Sequence, residues 1–345
     1  MEEPTARTRG TRLPVLACRR FPGTALDALA RDFDLTVHPG PGPIPRARLL
    51  AELAGKAGVL VGMTERVDGE FLDAAESLVV VANFGVGYDN IDVDVCTERG
   101  VMVTNTPGVL TETTADLTWA VLMAAARRVG EGERFIRSAQ PWVWEPDFML
   151  GRDVHGKVVG VVGFGRIGRA VARRARGFDM RVLYHGRVRA PEEAERAVSA
   201  EYREHLDDLL GEADFVSLHV SLNPGTRHLI DADRLRAMKP TAILVNASRG
   251  PVVDEAALVD ALRERRIAAA ALDVFEHEPE VHPGLRELEN VVVVPHLGSA
   301  TVEARTAMAS LAAENLRTAL EGGRPPNLVD GEAWERRRPL PRAIR

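Results

Sequence analysis

The segment VVGVVGFGRIGRA, residues 158–170, constrains the fold more than any other stretch, because three glycines separate an apolar run from a helical pattern. A strand, then G-x-G-x-x-G, then a helix is typical of dinucleotide-binding folds. Gly163 would form the tight turn, Gly165 would let a pyrophosphate approach the backbone, and Gly168 would let helix and strand pack closely. The helix N-terminus adds free N–H groups and a positive dipole end. The predicted dinucleotide contacts in this segment are Gly163, Gly165, Arg166, Ile167 and Gly168.

Short β-branched runs alternate with helical patterns along most of the chain, which is typical of parallel α/β sheets. Four such runs lie in residues 14–83 and six in residues 156–296. We therefore predict two doubly wound parallel-sheet domains with a cleft between them, a Rossmann cofactor domain and a flavodoxin-like substrate domain. A long amphipathic stretch at 110–129 would link them, and a helix at 299–322 would return to the first sheet. The predicted domains are 1–108 with 299–345, which has loose termini, and the NAD(P)-binding domain 109–298.

Composition limits the class of protein. The 345 residues are 45% hydrophobic, and two cysteines form neither a disulfide framework nor a zinc cluster. The net charge of −6 gives no general attraction to nucleic acid, so an anionic ligand must be held by local arginines or backbone amides. No apolar run reaches the roughly 20 residues of a membrane span, and the N-terminus lacks the pattern of a secretion signal. We expect a cytoplasmic protein that binds neither nucleic acid nor membrane and, lacking metal-ligand spacing, no metal.

The stretch MRVLYHGRVRA bears on the choice of nucleotide. An NAD-binding domain usually places an acid at the end of the second strand, where it binds the ribose 2′-hydroxyl. This strand instead ends before Gly186, Arg187 and Arg189, and Asp179 precedes it at the wrong end. Guanidinium groups suit a 2′-phosphate, which a carboxylate would repel. The sequence therefore favours NADP(H), with NAD(H) possible, although both arginines could simply face solvent.

Three further strands each end at a polar residue: LVNASRG at Arg249, LDVFEHEP at Glu278 and VVVVPHLG at His296. Because the carboxyl ends of parallel strands share one edge of a sheet, these side chains can converge. An unperturbed imidazole has a pKa of about 6.5 and suits a proton donor, while a carboxylate can orient it. A guanidinium can bind both a carboxylate and a keto oxygen. Singly, the three could be a core histidine, a cap and a surface ion-pair partner; together they predict reduction of a 2-keto acid.

These stretches resemble the D-isomer-specific 2-hydroxyacid dehydrogenase family, closest to its glyoxylate/hydroxypyruvate reductase branch. The likeness runs from about Leu13 to Leu328, and the Arg, Glu-Pro and Pro-His contexts are its most specific parts. The resemblance implies that Arg249 binds substrate and that Glu278 and His296 form the acid/base pair. It also implies a homodimer built through the cofactor domain and the helix near 113–128.

The resemblance extends to other positions. The loop ANFGVGYDNID would offer the backbone N–H groups of Val86 and Gly87 to a substrate carboxylate, although it could be a plain turn. Trp144 would reach the active site of a neighbouring subunit, or could be ordinary packing, as could Trp142. The remaining implied substrate contact is Ser299, and the remaining implied cofactor contacts are Thr114, Ser221, Ala247, Asp273 and Gly298.

Two alternatives stay open at this stage. The substrate could instead be phosphoglycerate, a D-lactate-type acid or phosphonate; formate fits least, because its oxidation leaves no alkoxide to protonate. The protein could also be a dinucleotide sensor like the C-terminal-binding corepressors, which resemble this family and retain the same three residues. Turnover of NADPH with a small keto acid would separate the enzyme from the sensor.

Overall fold

In the computed structural model, which describes residues 12–341, every strand of the two main sheets runs parallel to its neighbours. The chain divides into one unit made of Met1–Val109 and Thr301–Arg345 and a second made of Leu110–Ala300. The prediction of two doubly wound α/β domains is confirmed. The N-terminal end that the sequence marks as loose lies outside the described residues, apart from Arg12.

The first unit contains a five-stranded sheet in the order β2-β1-β3-β4-β5. Its strands are β1 Pro14–Ala17, β2 Asp34–Val37, β3 Gly58–Val61, β4 Val80–Asn83 and β5 Met102–Thr104, and its first helices are α1 Ala25–Asp32, α2 Arg46–Glu52, α3 Gly69–Asp73 and α4 Val93–Glu98. The four expected strands form, and β5 is added. Three residues are too few to show a periodicity, so sequence reasoning missed this strand. Helix α3 starts at Gly69 because Asp68 caps it, accepting from the Phe71 N–H at 3.0 Å.

The second unit contains a seven-stranded sheet in the order β12-β11-β10-β9-β6-β7-β8. Its helices and strands are α5 Thr111–Ala126, α6 Val129–Arg137, β6 Val158–Val162, α7 Arg166–Ala175, β7 Arg181–His185, α8 Glu192–Val198, β8 Ala200–Tyr202, α9 Leu206–Glu212, β9 Phe215–Leu218, α10 Ala232–Ala237, β10 Ile243–Asn246, α11 Glu255–Arg263, β11 Ala269–Leu272, α12 Pro283–Arg286 and β12 Val291–Val293. All six predicted strands form, and the short β8 is added. The strand order reverses direction between β6 and β9, which is where ligands bind in such sheets.

Both faces of this sheet are covered by helices, which explains why its central strands β9, β10 and β11 are buried at every residue. Successive residues of a strand point to opposite faces, so Val161 and Val162 join two different cores. The core of Val161 includes Trp119 and Leu122 of α5, and the core of Val162 includes Leu209 of α9. The long amphipathic stretch predicted as a linker therefore packs as a helix of the second unit.

The chain returns to the first unit through α13 Val302–Leu320 and α14 Glu332–Glu335. The side chain of Thr301 caps α13 by accepting from the Ala304 N–H at 3.1 Å. Small and apolar residues of α13, among them Ala309, Ala312 and Leu316, pack in the same core as Leu60 and Val80. The core of this unit is thus built from two separate segments of the chain.

The C-terminal tail is anchored as far as Arg338, which differs from the expected loose end. The Arg338 guanidinium donates to the carbonyl oxygens of Arg99 at 2.7 Å and Glu76 at 2.7 Å, and its backbone N–H donates to Gly100 at 2.8 Å. Burial and the nearby Arg99 lower the pKa of Arg338. The Arg338 guanidinium thus joins the tail to the C-cap of α4 and to the turn that follows α3. Sequence alone shows only a run of arginines.

No helix in the part of the chain that the structure describes is long and apolar enough to cross a membrane. Within the same residues, no group of three or more histidine, cysteine or acidic side chains has the geometry to hold a metal ion. Cys18 and Cys96 are buried free thiols, and burial raises the pKa of both.

Candidate active site

The three glycines of the fingerprint loop differ in how much space surrounds them. Gly163 has a φ of +95°, and a Cβ there would lie 2.6 Å from the carbonyl oxygen of His219, at the end of β9. A Cβ on Gly168 would overlap the carbonyl oxygen of Gly163. A Cβ on Gly165, in contrast, would meet no described atom within 4 Å. Gly163 and Gly168 are thus required by packing, whereas Gly165 leaves open space.

That open space lies at the N-terminus of α7. Gly165 is the N-cap, and its carbonyl accepts the first intrahelical hydrogen bond from the N–H of Arg169, so the N–H groups from Arg166 to Gly168 have no acceptor within the helix. These donors and the positive end of the helix dipole suit a pyrophosphate. The space at Gly165 is a cradle that a Cβ would fill, so the residues present fit a bound dinucleotide.

The loop after β7 contains Gly186, Arg187 and Arg189, as the sequence predicts. The side chain of Arg187 is exposed. Arg189 instead forms a two-point ion pair with Glu195 of α8, at 2.9 Å from Nε to Oε1 and 3.0 Å from Nη2 to Oε2. This pair raises the pKa of Arg189 and lowers that of Glu195. Glu195 was missed by the sequence analysis, since it lies on a helix rather than at the end of a strand.

The remaining candidate cofactor residues also lie at strand ends, with one exception. Ser221 follows β9, Ala247 follows β10, Asp273 follows β11 and Gly298 follows β12. Thr114 lies on α5, buried beside this edge: a Cβ on Gly298 would be 3.4 Å from its Cγ2 and 3.1 Å from Oδ2 of Asp273. The fold therefore places these residues along the carboxyl edge that also holds the glycine loop.

Asp273 organises the backbone around His296. Its buried carboxylate accepts from the N–H of Leu297 at 2.5 Å and of Gly298 at 2.9 Å, and its carbonyl accepts from the N–H of His296 at 2.8 Å. Burial raises the pKa of Asp273, although these amide donors and His296 oppose the rise. His296 adopts a left-handed φ of +51°, which a non-glycine residue keeps only when its surroundings impose it. Asp273 supplies part of that restraint.

His296 and Glu278 form a hydrogen-bonded pair, with Nδ1 of the imidazole 2.9 Å from Oε2 of the carboxylate. The other carboxylate oxygen accepts from the N–H of Phe275 at 3.0 Å. Burial would raise the pKa of Glu278, but His296, this N–H and the charge of Arg249 together lower it below its usual value. Glu278 is therefore ionised at neutral pH and faces one ring nitrogen, which leaves Nε2 as the atom that can exchange a proton with a ligand.

Arg249 lies in a turn that a buried asparagine shapes. Asn246, at the end of β10, donates to the carbonyl oxygen of Arg249 at 2.9 Å and accepts from the hydroxyl of Ser248 at 2.8 Å. A Cβ on the next residue, Gly250, would overlap the backbone of Phe275. The turn that carries Arg249 therefore rests on the loop that carries Glu278. Asn246 was not singled out from the sequence, although a polar residue at the end of an apolar strand was the available signal.

In the first unit, asparagine side chains donate hydrogen bonds to backbone carbonyl groups of the loop after β4. The side chain of Asn83 donates to the carbonyl oxygen of Gly87 at 2.8 Å, and that of Asn105 donates to Val86 at 2.9 Å. Asn315 of α13 donates in turn to the carbonyl oxygen of Asn105 at 3.0 Å. These side chains orient the carbonyl groups of Val86 and Gly87. Both residues remain partly exposed, and their backbone N–H groups suit an anion.

Two candidate substrate residues lie elsewhere in the second unit. Ser299 directly follows Gly298 and is partly buried. Trp144 is 75% exposed and Trp142 is 62% exposed, in the segment after α6. Neither indole is part of a core in this chain.

Comparison with known proteins bears on this site. Residues 119–298 match the family model described as D-isomer specific 2-hydroxyacid dehydrogenase, NAD binding domain. The glyoxylate reductase of Thermococcus kodakarensis is 50% identical over 330 residues, covering 94% of this chain and 98% of that protein. The glyoxylate reductase of Pyrococcus furiosus is 48% identical over 330 residues, covering 94% and 97%.

Solved structures show the same likeness. A crystal structure of a protein from Thermus thermophilus has a TM-score of 0.86 and 46% identity, covering 92% of this chain and 100% of that one. An NADPH-dependent glyoxylate/hydroxypyruvate reductase from Sinorhizobium meliloti, in complex with NADP and malonate, has a TM-score of 0.84 and 35% identity, covering 95% and 100%. The matched family domain contains the glycine loop, Arg249, Glu278 and His296.

The different steric settings of two glycines give a first prediction. Gly163→Ala should lower the free energy of unfolding by roughly 1–3 kcal/mol, because of its positive φ and the contact with His219. Gly165→Ala should leave the melting temperature of the nucleotide-free protein unchanged but weaken dinucleotide binding, because the methyl group fills the cradle. Thermal melts and titration calorimetry of the two variants measure these effects. Equal loss of stability in both, or full affinity in Gly165→Ala, would contradict the assignment.

Proposed function

The chain belongs to the D-isomer specific 2-hydroxyacid dehydrogenase family, and we propose that it reduces glyoxylate to glycolate or hydroxypyruvate to D-glycerate, with NADPH as the favoured reductant. The observation that carries the proposal is the His296–Glu278 pair at 2.9 Å, on the strand edge that also holds the glycine loop. The relatives named as glyoxylate reductases support the choice of substrate.

The proposed chemistry follows from the pair. The bound reduced nicotinamide would supply a hydride to the carbonyl carbon of the substrate. His296 would hold a proton at Nε2 and release it to the carbonyl oxygen, while Glu278 accepts from Nδ1 and stabilises the imidazolium. The carboxylate is suited to this role because its lowered pKa keeps it charged at neutral pH. One hydride and one proton convert the keto group into a hydroxyl.

Binding of the substrate would need positive charge and N–H donors. We assign Arg249 to the substrate carboxylate and keto oxygen, since a guanidinium can donate to both. In the first unit, the backbone N–H groups of Val86 and Gly87 are proposed to bind a carboxylate, as the resemblance to the family implies. Ser299 would line the pocket, and Trp144, exposed in the single chain, would contribute to the site of a second subunit.

The preference for NADPH rests on the loop after β7. Arg187 and Arg189 follow the strand whose end usually carries the acid that binds a ribose 2′-hydroxyl. Two guanidinium groups at this point favour a 2′-phosphate. The Sinorhizobium meliloti reductase, named as NADPH-dependent and solved with NADP, supports this choice. The other cofactor contacts are proposed for Thr114, Gly163, Gly165, Arg166, Ile167, Gly168, Gly186, Ser221, Ala247, Asp273 and Gly298.

A homodimer is part of the same proposal. The segment from α6 to Leu150 exposes several large apolar side chains, with Ile136 61% exposed and Leu150 66% exposed. Contiguous exposed apolar surface is unusual on a monomer and typical of an interface. Sedimentation should give twice the 37.6 kDa mass of the chain, and Ile136→Glu should shift it toward one chain. A monomeric native protein would contradict the proposed homodimer.

The buried free thiols Cys18 and Cys96 suit a reducing compartment, and we propose the cytoplasm.

Removal of the imidazole tests the chemical proposal. The native enzyme should oxidise NADPH with glyoxylate or hydroxypyruvate, followed by the absorbance of the reduced nicotinamide. His296→Ala should lower kcat by about a thousandfold and Glu278→Gln by about a hundredfold, because one removes the acid and the other its orienting partner.

The control is His155→Gln, at an exposed histidine paired with Asp179, which should retain full activity. Both site variants should bind NADPH normally by fluorescence titration. Loss of nucleotide affinity in His296→Ala would reassign that residue to the cofactor. NADPH binding without turnover of any small keto acid by the native protein would favour a dinucleotide sensor.

Replacement of the two loop arginines tests the choice of nucleotide. Arg187→Gln with Arg189→Gln should raise the KM for NADPH by about tenfold or more and leave the KM for NADH nearly unchanged, because each lost charged hydrogen bond affects only the 2′-phosphate. Arg196→Gln, on the exposed face of α8, is the matched control. Equal effects on both nucleotides would remove the phosphate-binding role.

A further inference from the structure

Glu195 is a nearly buried carboxylate beside the proposed phosphate-binding loop. The residue is 7% exposed, although it lies on the short surface helix α8. A carboxylate in such a position needs charged or hydrogen-bonding partners. It has three contacts: Nε and Nη2 of Arg189, at 2.9 and 3.0 Å, and the hydroxyl of Tyr184, which donates to Oε1. Both oxygens of the Glu195 carboxylate therefore accept hydrogen bonds.

Tyr184 connects this carboxylate to the glycine loop. Its ring, which is fully buried, stacks on Phe164 of the G-F-G turn with 4.1 Å between centroids. Its hydroxyl accepts from the N–H of Ala190 at 2.9 Å, directly after Arg189. Burial raises the pKa of Tyr184 to about 12, so the hydroxyl keeps the proton that it donates. The contacts run without a gap from Phe164 through Tyr184 and Glu195 to Arg189.

Within residues 12–341, the hydrogen bonds of the Arg189 guanidinium to Glu195 are made by one edge, Nε and Nη2. Its side chain is 66% exposed, and an exposed arginine normally samples many rotamers that must be frozen when it binds a ligand. Glu195 holds the Nε–Nη2 edge, and the ring of Tyr202 lies 5.9 Å from Cζ. The Nη1 edge is directed away from the carboxylate. An arginine fixed in this way meets a ligand with less loss of conformational freedom.

We propose that Glu195 is a positioning residue for nucleotide choice: it holds Arg189, through the Tyr184 contact to the glycine loop, in the orientation that binds the 2′-phosphate of NADPH. This inference rests on the NADPH preference proposed above. By charge alone, a carboxylate near the 2′-phosphate would repel it and weaken NADPH binding. In this arrangement the restraint of Arg189 outweighs that repulsion, because the guanidinium lies between the Glu195 carboxylate and solvent.

The test compares Glu195→Gln with Glu192→Gln. Both remove one carboxylate of α8 that pairs with an arginine, but the Glu192–Arg196 pair is exposed on both sides. Glu195→Gln should raise the KM for NADPH by about fivefold and leave the KM for NADH and the kcat unchanged, as expected for a coupled pair. Glu192→Gln should change neither. Tyr184→Phe, which keeps the stacked ring, should show a smaller rise for NADPH alone.

A double-mutant cycle separates positioning from general damage. In the Arg189→Gln background, Glu195→Gln should have no further effect on NADPH, because its partner is already absent. Equal rises for NADPH and NADH would show a folding defect and overturn the proposal. A lower KM for NADPH in Glu195→Gln would show that repulsion dominates, and would overturn it as well.

Calorimetry with 2′,5′-ADP and 5′-ADP distinguishes the two levels of inference. The native protein should bind 2′,5′-ADP more tightly than 5′-ADP, and Glu195→Gln should reduce this difference in affinity about fivefold. That result supports both the NADPH preference and the role of Glu195. If the native advantage exists and Glu195→Gln retains it fully, only the role of Glu195 fails. If native protein binds both nucleotides equally, the NADPH preference fails and the role of Glu195 fails with it.

Discussion

The close approach between the turn after β6 and the end of β9 is the constraint on which the second unit depends. Gly163 lies so near the carbonyl oxygen of His219 that no side chain fits, and Gly168 lies even nearer to the carbonyl oxygen of Gly163. These contacts place the start of α7 at the point where the strand order reverses. Because parallel strands all end at the same edge, residues that follow β9, β10, β11 and β12 are carried to the same side as the loop.

Convergence of strands does not by itself position side chains on loops. The loops gain their precision from buried polar groups behind them: Asn246 shapes the turn of Arg249, and Asp273 holds the backbone after His296. In the first unit, Asn83 and Asn105 orient the carbonyls of the Val86 loop. Since a buried polar group is costly unless it is satisfied, each of these side chains specifies one backbone path.

Charge in this protein acts locally. The chain carries a net charge of −6, and yet the proposed ligands are anions. Positive potential is supplied at particular points by the α7 N-terminus, Arg249 and the arginines after β7. Acidic side chains orient the groups that would meet the ligands: Glu195 orients the guanidinium of Arg189, and Glu278 orients the imidazole of His296. The arrangement of charge, rather than its sum, accounts for recognition of an anion.

The sequence by itself determined the fold class, the position of the glycine loop, ten of the strands and the strand-end residues Arg249, Glu278 and His296, because apolar periodicity and glycine spacing act over a few neighbouring residues. The residue types predict the hydrogen bond between Glu278 and His296, and the structure adds the distance between the two side chains. The tertiary structure alone revealed the Glu195–Arg189 pair, the restraint of His296 by Asp273, and the anchoring of the tail by Arg338. These contacts join residues whose spacing follows no local period, and only the packing of separate elements brings them together.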